Sequence, residues 1–312
     1  MQTILDIIAP VFGLVGLGYL AARLGWFPAE ATRGLSRFVF NFAVPALLFR
    51  TMATTRLPEV IYWEHLLSYY GGAYVAWILG ALVSRHGFGR RGAEPAIAGM
   101  TAGFANTVLL GVPLVLTSLG ERATLPLFLI IAFHSWQMFT VATLHVEIAT
   151  GLGGGLAKVP RAVAVSLATN PIILALAGGI AVNLAGLGLP RAPDQLLEML
   201  QRAALPCALF AMGASLAAYR VMGALPEAAV GSFLKLVVHP AAVWLLATHV
   251  FAIDPLWRDV AVLVAAVPVG VNVYVTAQQY QAGIAPAATA MLLSTAAATA
   301  TIGVALWLLG IG

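Results

Sequence analysis

Charge is what this chain has least of. Only 9% of its 312 residues are Asp, Glu, Lys or Arg, while 61% are hydrophobic. A soluble domain carries about 25% charged residues, so there are too few polar groups here to cover a surface facing water. Cysteine is almost absent as well. The single Cys207 excludes a disulfide framework and any cysteine-based metal site. His145 and Glu147 have HxE spacing, but without cysteine partners they exclude a deaminase-like zinc centre. No GxSG, no HExxH and no pair of membrane aspartates is present, which argues against an intramembrane hydrolase. No metal or other cofactor is expected. The net charge of +4 forms no basic stripe, so nucleic acid is not an expected partner. A repeated selectivity motif is also missing, which disfavours a channel; Asn170-Pro171 is half of a water-channel motif, but Pro10 follows Ala9.

What the chain does have is long apolar stretches, and the lipid bilayer is their natural partner. A spanning helix needs about 20 apolar residues, and ten such stretches fit. They fall near 3–23, 35–55, 61–84, 95–119 and 123–149, then near 161–187, 193–218, 227–251, 257–280 and 284–310. The first lacks the basic leader of a signal peptide and reads as a retained span. Between the two sets lies a flexible-linker composition, Gly151-Leu152-Gly153-Gly154-Gly155. The expected organisation is therefore 1–150, a linker at 151–160, and 161–312. Cytoplasmic loops carry the excess of Lys and Arg. Arg23, Arg33, Arg37, Arg85, Arg90, Arg91, Lys158, Arg161 and Arg220 fall on one side. Arg50, Arg56, Arg122, Arg191, Arg202 and Arg258 fall on the other. This bias puts both termini outside.

The two halves echo one another. At a shift of 161 residues, Pro10 meets Pro171, Gly18 meets Gly179 and Gly25 meets Gly186, while AVPALLF at Ala43–Phe49 meets ALPCALF at Ala204–Phe210. Five spans is an odd number, so the second half enters the membrane from the opposite side. An all-α membrane fold of two inverted five-helix repeats is expected, an architecture of many secondary transporters. The fourth span of each half is interrupted, by GFANTVLLGVP at Gly103–Pro113 and by AVPVGVN at Ala266–Asn272. The same shift sets Pro268 opposite Thr107 and Asn272 opposite Gly111. Gly and Pro break helices, and paired breaks in matched positions point to a transporter's substrate site.

Backbone unwound in hydrocarbon is tolerated only when buried or lining a polar cavity. Half-helix N-termini at such breaks offer free N–H groups and partial positive charge. Asn106, Asn272, Thr107 and Thr276 add amides and hydroxyls. The expected ligand is a small organic anion. Lys235, within SFLKLVVHPAAVWLL, is either a functional charge at depth or a side chain snorkelling to the interface. His239-Pro240 reads as a helix kink with a satisfied histidine. His134, Ser135 and Gln137 line the cavity or bond between helices. Asp6 is expected to be solvated, and no acid lies near either break, so a proton or no coupling ion ranks above sodium.

NFAVPALLF at Asn41–Phe49 resembles the second-span signature of the auxin efflux carrier family. Asn106-Thr107 with Gly111-Val112-Pro113-Leu114 resembles its fourth span, and Asn170-Pro171 with Gly178 or Gly179 its sixth. Pro268-Val269-Gly270-Val271-Asn272 followed by Gln278-Gln279-Tyr280 resembles its ninth. The long central loop of plant members is missing, as in compact bacterial members associated with malonate and malate. The resemblance implies a fold shared with bile acid/sodium symporters. Spans 1, 2, 6 and 7 would form a scaffold and spans 3–5 and 8–10 a transport core that moves like an elevator. It places the substrate where spans four and nine cross, at Asn106, Thr107, Gly111, Pro113, Pro268, Val269, Asn272 and Thr276. Lys235, His134 and Gln137 would serve coupling or a second charge, and the scaffold would supply a homodimer contact. The expected function is a permease of small carboxylates such as malonate or malate in the bacterial cytoplasmic membrane. The alternatives are a carrier of an auxin-like aromatic monocarboxylate and a sodium symporter of the bile-acid-carrier type.

Overall fold

The computed structural model describes residues 2–54, 62–151, 168–219 and 224–311, with residues 161 and 165 besides. Arg56, Lys158, Arg220 and most of the glycine-rich linker lie outside the described residues. Helix α1 covers Gln2–Arg23 and α2 covers 29–54. Helix α3 is Glu64–Gly87, α4 Glu94–Gly103, α5 Thr107–Leu119 and α6 Thr124–Thr150. Then come α7 at Pro171–Leu184, α8 at Arg191–Leu216 and α9 at Leu225–Val250. The chain closes with α10 at Pro255–Ala266, α11 at Val271–Gln279 and α12 at Ile284–Leu308.

Helices α3, α6, α8, α9 and α12 are each long and apolar enough to cross a membrane. The protein is an all-α, multi-pass membrane bundle. Five of the ten expected spans are thus single spanning helices. The fourth and ninth are each divided in two. The second lies within α2, whose first turns, AEATRGLSRF, are polar. Large apolar side chains such as Leu17, Phe42, Ile78, Leu174 and Trp307 point outward and exposed, as a surface bathed in lipid tails requires.

Local signals set the helix ends. Asp254 and Asn170 accept bonds from the first free N–H groups of α10 and α7, Leu256 N at 2.9 Å and Ile172 N at 2.9 Å. Each is followed by proline at the first helical position, where no N–H is needed. Gly25 and Gly186, matched by the shift of 161, both take positive φ just past α1 and α7 (76° and 64°), a conformation glycine adopts without steric cost. Three π turns, Val39–Ala43, Thr107–Gly111 and Leu234–Val238, each end two residues before a proline: Pro45, Pro113 and Pro240. A proline ring clashes with the carbonyl four residues back, and a wider turn relieves that clash while keeping the backbone bonded.

Small residues then let the helices approach closely, since lipid offers no hydrophobic drive between them. Helix α1 packs on α8, where Gly18 lies against the Phe210 carbonyl and Gly213 against that of Val15. Helix α2 packs on α7, where a Cβ on Gly179 would stand 2.6 Å from the Phe49 carbonyl oxygen. Asn183 adds a bond to the Met52 carbonyl at 2.8 Å. Helix α8 also touches α2, so α1, α2, α7 and α8 form one connected group. A second group links α3, α4, α9, α10 and α12, with Gly80 on Ala98, Gly72 on Val243, and Gly99 and Gly103 on Trp77.

Candidate functional site

The two interruptions meet. Helix α4 ends at Gly103 and α10 at Ala266, and the extended residues that follow pair as an isolated antiparallel bridge between Ala105 and Val269. Asn106 N–H donates to the Pro268 carbonyl at 3.0 Å, and Gly270 N–H to the Phe104 carbonyl at 3.0 Å. Each bond is the image of the other at a shift of 164, since 270 − 106 and 268 − 104 agree. The expected shift of 161 therefore does not hold at the breaks. Asn106 is matched by Gly270, where the shift of 161 would set Val267, because the pairing register is set by backbone hydrogen bonds and not by side-chain likeness. Gly270 is required there: a Cβ would lie 2.7 Å from the Phe104 ring and 3.1 Å from the Ala105 carbonyl oxygen.

Neighbouring side chains hold the bridge in place. Val269 N–H donates to Ser294 Oγ at 3.1 Å from α12, and Ala105 N–H to His134 Nε2 at 3.2 Å from α6. These bonds satisfy backbone groups that would otherwise cost several kcal/mol each in hydrocarbon. The Asn106 amide donates to Met212 Sδ of α8 at 2.8 Å, so the first break touches the other helix group. Beyond the bridge, α5 and α11 begin. The first ladder bond of α5 is Gly111 N–H to the Asn106 carbonyl at 3.0 Å. Among the described residues, no backbone acceptor pairs with the N–H groups of Val108 and Leu109, nor with those of Val271 and Asn272. Two helix N-termini with free donors thus converge on one crossing, an arrangement that attracts an anion.

Most of the expected residues gather here. Asn106, Thr107, Gly111, Pro113, Pro268, Val269 and Thr276 are buried at or next to the crossing. Asn272 differs: it is exposed on the first turn of α11, its carbonyl accepting from Thr276 Oγ1 at 2.8 Å. The two asparagines therefore stand in unlike surroundings. Gln137 is partly buried, with Oε1 unpartnered.

Lys235 does not snorkel. It is 0% exposed, and its ammonium donates to the carbonyl of Ala265 in the last turn of α10. That carbonyl has no partner within its own helix, and a cation suits the negative end of the helix dipole. His239 lies in the interior of the bundle, 0% exposed. Its ring is packed against Tyr69, centroids 5.4 Å apart, with the Tyr69 backbone as a weak hydrogen-bond partner and no side-chain partner among the described residues. Tyr69 also meets His134 edge-on at 5.9 Å, and its hydroxyl is unpartnered. Ser294, Met212, Phe104 and Tyr69 were not read from sequence as site residues. Nothing in their spacing marks them, since three come from other helices and Phe104 acts through its carbonyl. Among the buried described residues the only acid is Asp259, bonded to Arg258 at 2.8 Å in the first turns of α10. No cluster of metal-ligating side chains occurs among the described residues.

A membrane bundle whose two broken helices meet beside a buried lysine is the architecture of a transporter. A family profile described as membrane transport protein matches residues 3–307. The chain belongs to this family, the auxin efflux carrier family that its motifs resembled. A protein of Rhizobium meliloti (strain 1021), provisionally named a malonate transporter, is 36% identical over 317 residues, covering 100% of this chain and 98% of that one. The uncharacterized transporter YfdV of Escherichia coli (strain K12) is 26% identical over 77% of this chain and 76% of its own. A lysosomal cholesterol signaling protein of Mus musculus is 34% identical over 110 residues, 33% of this chain and 12% of its own.

Proposed function

We propose that this secondary transporter carries small dicarboxylates of the malonate or malate kind, held where α4–α5 and α10–α11 cross. The observation that carries the proposal is a charge imbalance. Two helix N-termini with unbonded N–H groups and the buried Lys235 sit around the crossing, with no carboxylate among the described residues to answer them. An uncompensated cation in a low-dielectric interior is costly, and a carboxylate ligand is the missing partner. One carboxylate takes the N–H groups and the Asn106 and Thr107 side chains, and the second answers Lys235. His134 and Gln137 complete the polar wall, and Asn272 and Thr276 meet the ligand from α11. The name of the Rhizobium relative supports the substrate class.

The fold behind this reading is ten spans in two inverted five-helix repeats, residues 1–150 and 161–312. Reciprocal packing supports it: Gly18 lies on Phe210 and Gly179 on Phe49, and each pair is the other displaced by 161. The scaffold is α1, α2, α7 and α8, which would also supply a homodimer contact, and the remaining helices form the core. Alternating access is a displacement of that core, with the Asn106–Met212 contact lying on the sliding surface. The protein sits in the inner membrane of a bacterium with both termini outside. Arg50 is met by Asp194 at 2.7 Å, and Arg202 and Arg258 also face acids. Arg85 and Arg91 at the other end have no such partner among the described residues.

A ligand that binds the native state raises apparent stability, by about 2.7 kcal/mol at one hundred times Kd. Malonate and malate should therefore raise the thermal midpoint of purified protein in a saturable way. An aromatic monocarboxylate should do so weakly. A panel in which no dicarboxylate shifts the midpoint, or in which only the aromatic acid does, rejects the proposal.

A further inference from the structure

The end of the bundle that carries Arg85, Arg90 and Arg91 holds a feature that carboxylate transport does not use. A groove of about 1030 Å³ opens there between α3, the start of α4 and the last turns of α6. Its two ends differ in character. Arg85, Arg90 and Arg91 line one end, while Ile78, Leu82 and Ile148 carry the wall on along the helices. Those three apolar side chains are strongly exposed, Ile148 by 77%, and so face lipid tails.

The charges at the basic end are unequal. Arg90 is held by Glu227 and approached by Glu94 at 3.8 Å. Arg85 and Arg91 are exposed, and neither has an ion pair or a side-chain hydrogen bond among the described residues. No acidic residue is part of the groove lining among the described residues. Two free guanidiniums therefore stand where α3 leaves the hydrocarbon layer, above a continuous apolar wall. Pockets for small molecules run to roughly 300–1,000 Å³, so a dicarboxylate would leave most of this space empty. An anion carrying long apolar chains would fill it. The guanidinium fork matches phosphate geometry, and basic pockets between spanning helices on the cytoplasmic side recognise anionic lipid headgroups.

We propose that this groove binds an anionic phospholipid, its phosphate on Arg85 and Arg91 and its acyl chains along Ile78, Leu82 and Ile148. The groove is coupled to the crossing through Trp77. This side chain lines the groove, donates from Nε1 to His145 Nδ1 at 3.2 Å, and packs against Gly99 and Gly103 in α4, immediately before the break. The lipid thus rests on the same helix face that positions the first break.

Titration of the purified full-length protein with phosphatidylglycerol, phosphatidylcholine or glycerol phosphate tests this, read by thermal midpoint and by mass of the intact complex. Phosphatidylglycerol should stabilise saturably and remain bound, and phosphatidylcholine should not. Arg85→Gln with Arg91→Gln should lower the apparent affinity roughly ten- to thirty-fold while leaving the lipid-free midpoint unchanged. Independently of any variant, binding to the native protein should weaken as salt screens the guanidiniums. Equal responses to both lipids, salt-insensitive binding, or full affinity in the double variant would overturn the proposal. So would a shift reproduced by glycerol phosphate alone, which marks a free-phosphate site. Displacement of the lipid by malonate would also overturn it, because the groove would then be a substrate vestibule.

Discussion

Lys235 occupies a place where a cation is hard to keep. The effective penalty for burying an ammonium is several kcal/mol, and one carbonyl offsets only part of it. If its task is to meet a second carboxylate, Lys235→Met should keep the packing, the side chains being of similar length. It should cost malonate far more affinity than a monocarboxylate of the same size. Equal loss for both acids would leave Lys235 as a helix cap only, worth up to about 2 kcal/mol. Asn106→Ala and Asn272→Ala should each weaken carboxylate binding by roughly ten- to a hundred-fold, the value of a hydrogen bond to a charged group, about 1.5–3 kcal/mol. Isothermal titration at constant pH measures both. Unchanged affinity in both variants would remove the crossing as the site. These residues differ in how plainly the sequence marks them. Asn106 stands beside a helix break, and Lys235 is one of two lysines in the chain. Ser294 and Met212 are ordinary residues in ordinary helices until the fold sets them against the bridge.

Among the elements, proline and glycine carry most of the specification. The π turns before Pro45, Pro113 and Pro240 show a helix absorbing a proline without stopping. Gly103 to Asn106 shows one that does stop, because a partner strand and His134 take over its backbone bonds. Motif spacing made the breaks legible, but not what fills them. The glycines separate into two kinds by what surrounds them. Gly179→Ala drives a Cβ toward the Phe49 carbonyl, and Gly18→Ala and Gly270→Ala meet backbone or ring atoms in the same way. Each should destabilise by about 1–3 kcal/mol. Gly34→Ala, with nothing within 4 Å, should instead stabilise by roughly 0.5–1 kcal/mol. Thermal melts in one detergent compare all four. A neutral Gly179→Ala or a damaging Gly34→Ala would contradict the close packing of α2 on α7 and the open space around Gly34.

For the whole molecule, the charge distribution bears on coupling. A sodium site needs several oxygen ligands, commonly including a carboxylate, and the only buried acid among the described residues is tied to Arg258. Replacing sodium by choline on both sides of proteoliposomes should therefore leave malonate uptake unchanged. Uptake that stops without sodium would show that carbonyls, Asn and Thr suffice to hold the ion. The packing of α1, α2, α7 and α8 as one group, and of α3, α4, α9, α10 and α12 as another, leaves a seam crossed by the Asn106–Met212 contact. If the proposed alternating access is a displacement of one group against the other, that contact must break and re-form during the cycle.

Composition alone determined that this chain lives in lipid, since 9% charge cannot clothe a soluble fold. Pattern alone marked the two breaks, because Pro, Gly and Asn within apolar runs have few other uses. The repeat was legible where it rests on side-chain packing, as in Gly18 and Gly179, and misleading where it rests on backbone pairing. At the crossing the true relation is a shift of 164, not 161, and Asn272 is exposed whereas Asn106 is buried. Tertiary structure also decided that Lys235 is buried against a helix end, that His239 is packed on Tyr69 in the interior, and that arginines away from the crossing border an apolar groove. Each of these depends on which helices become neighbours. A sequence records the tendencies of its own segment, whereas burial and hydrogen-bond partners belong to contacts between segments distant in the chain.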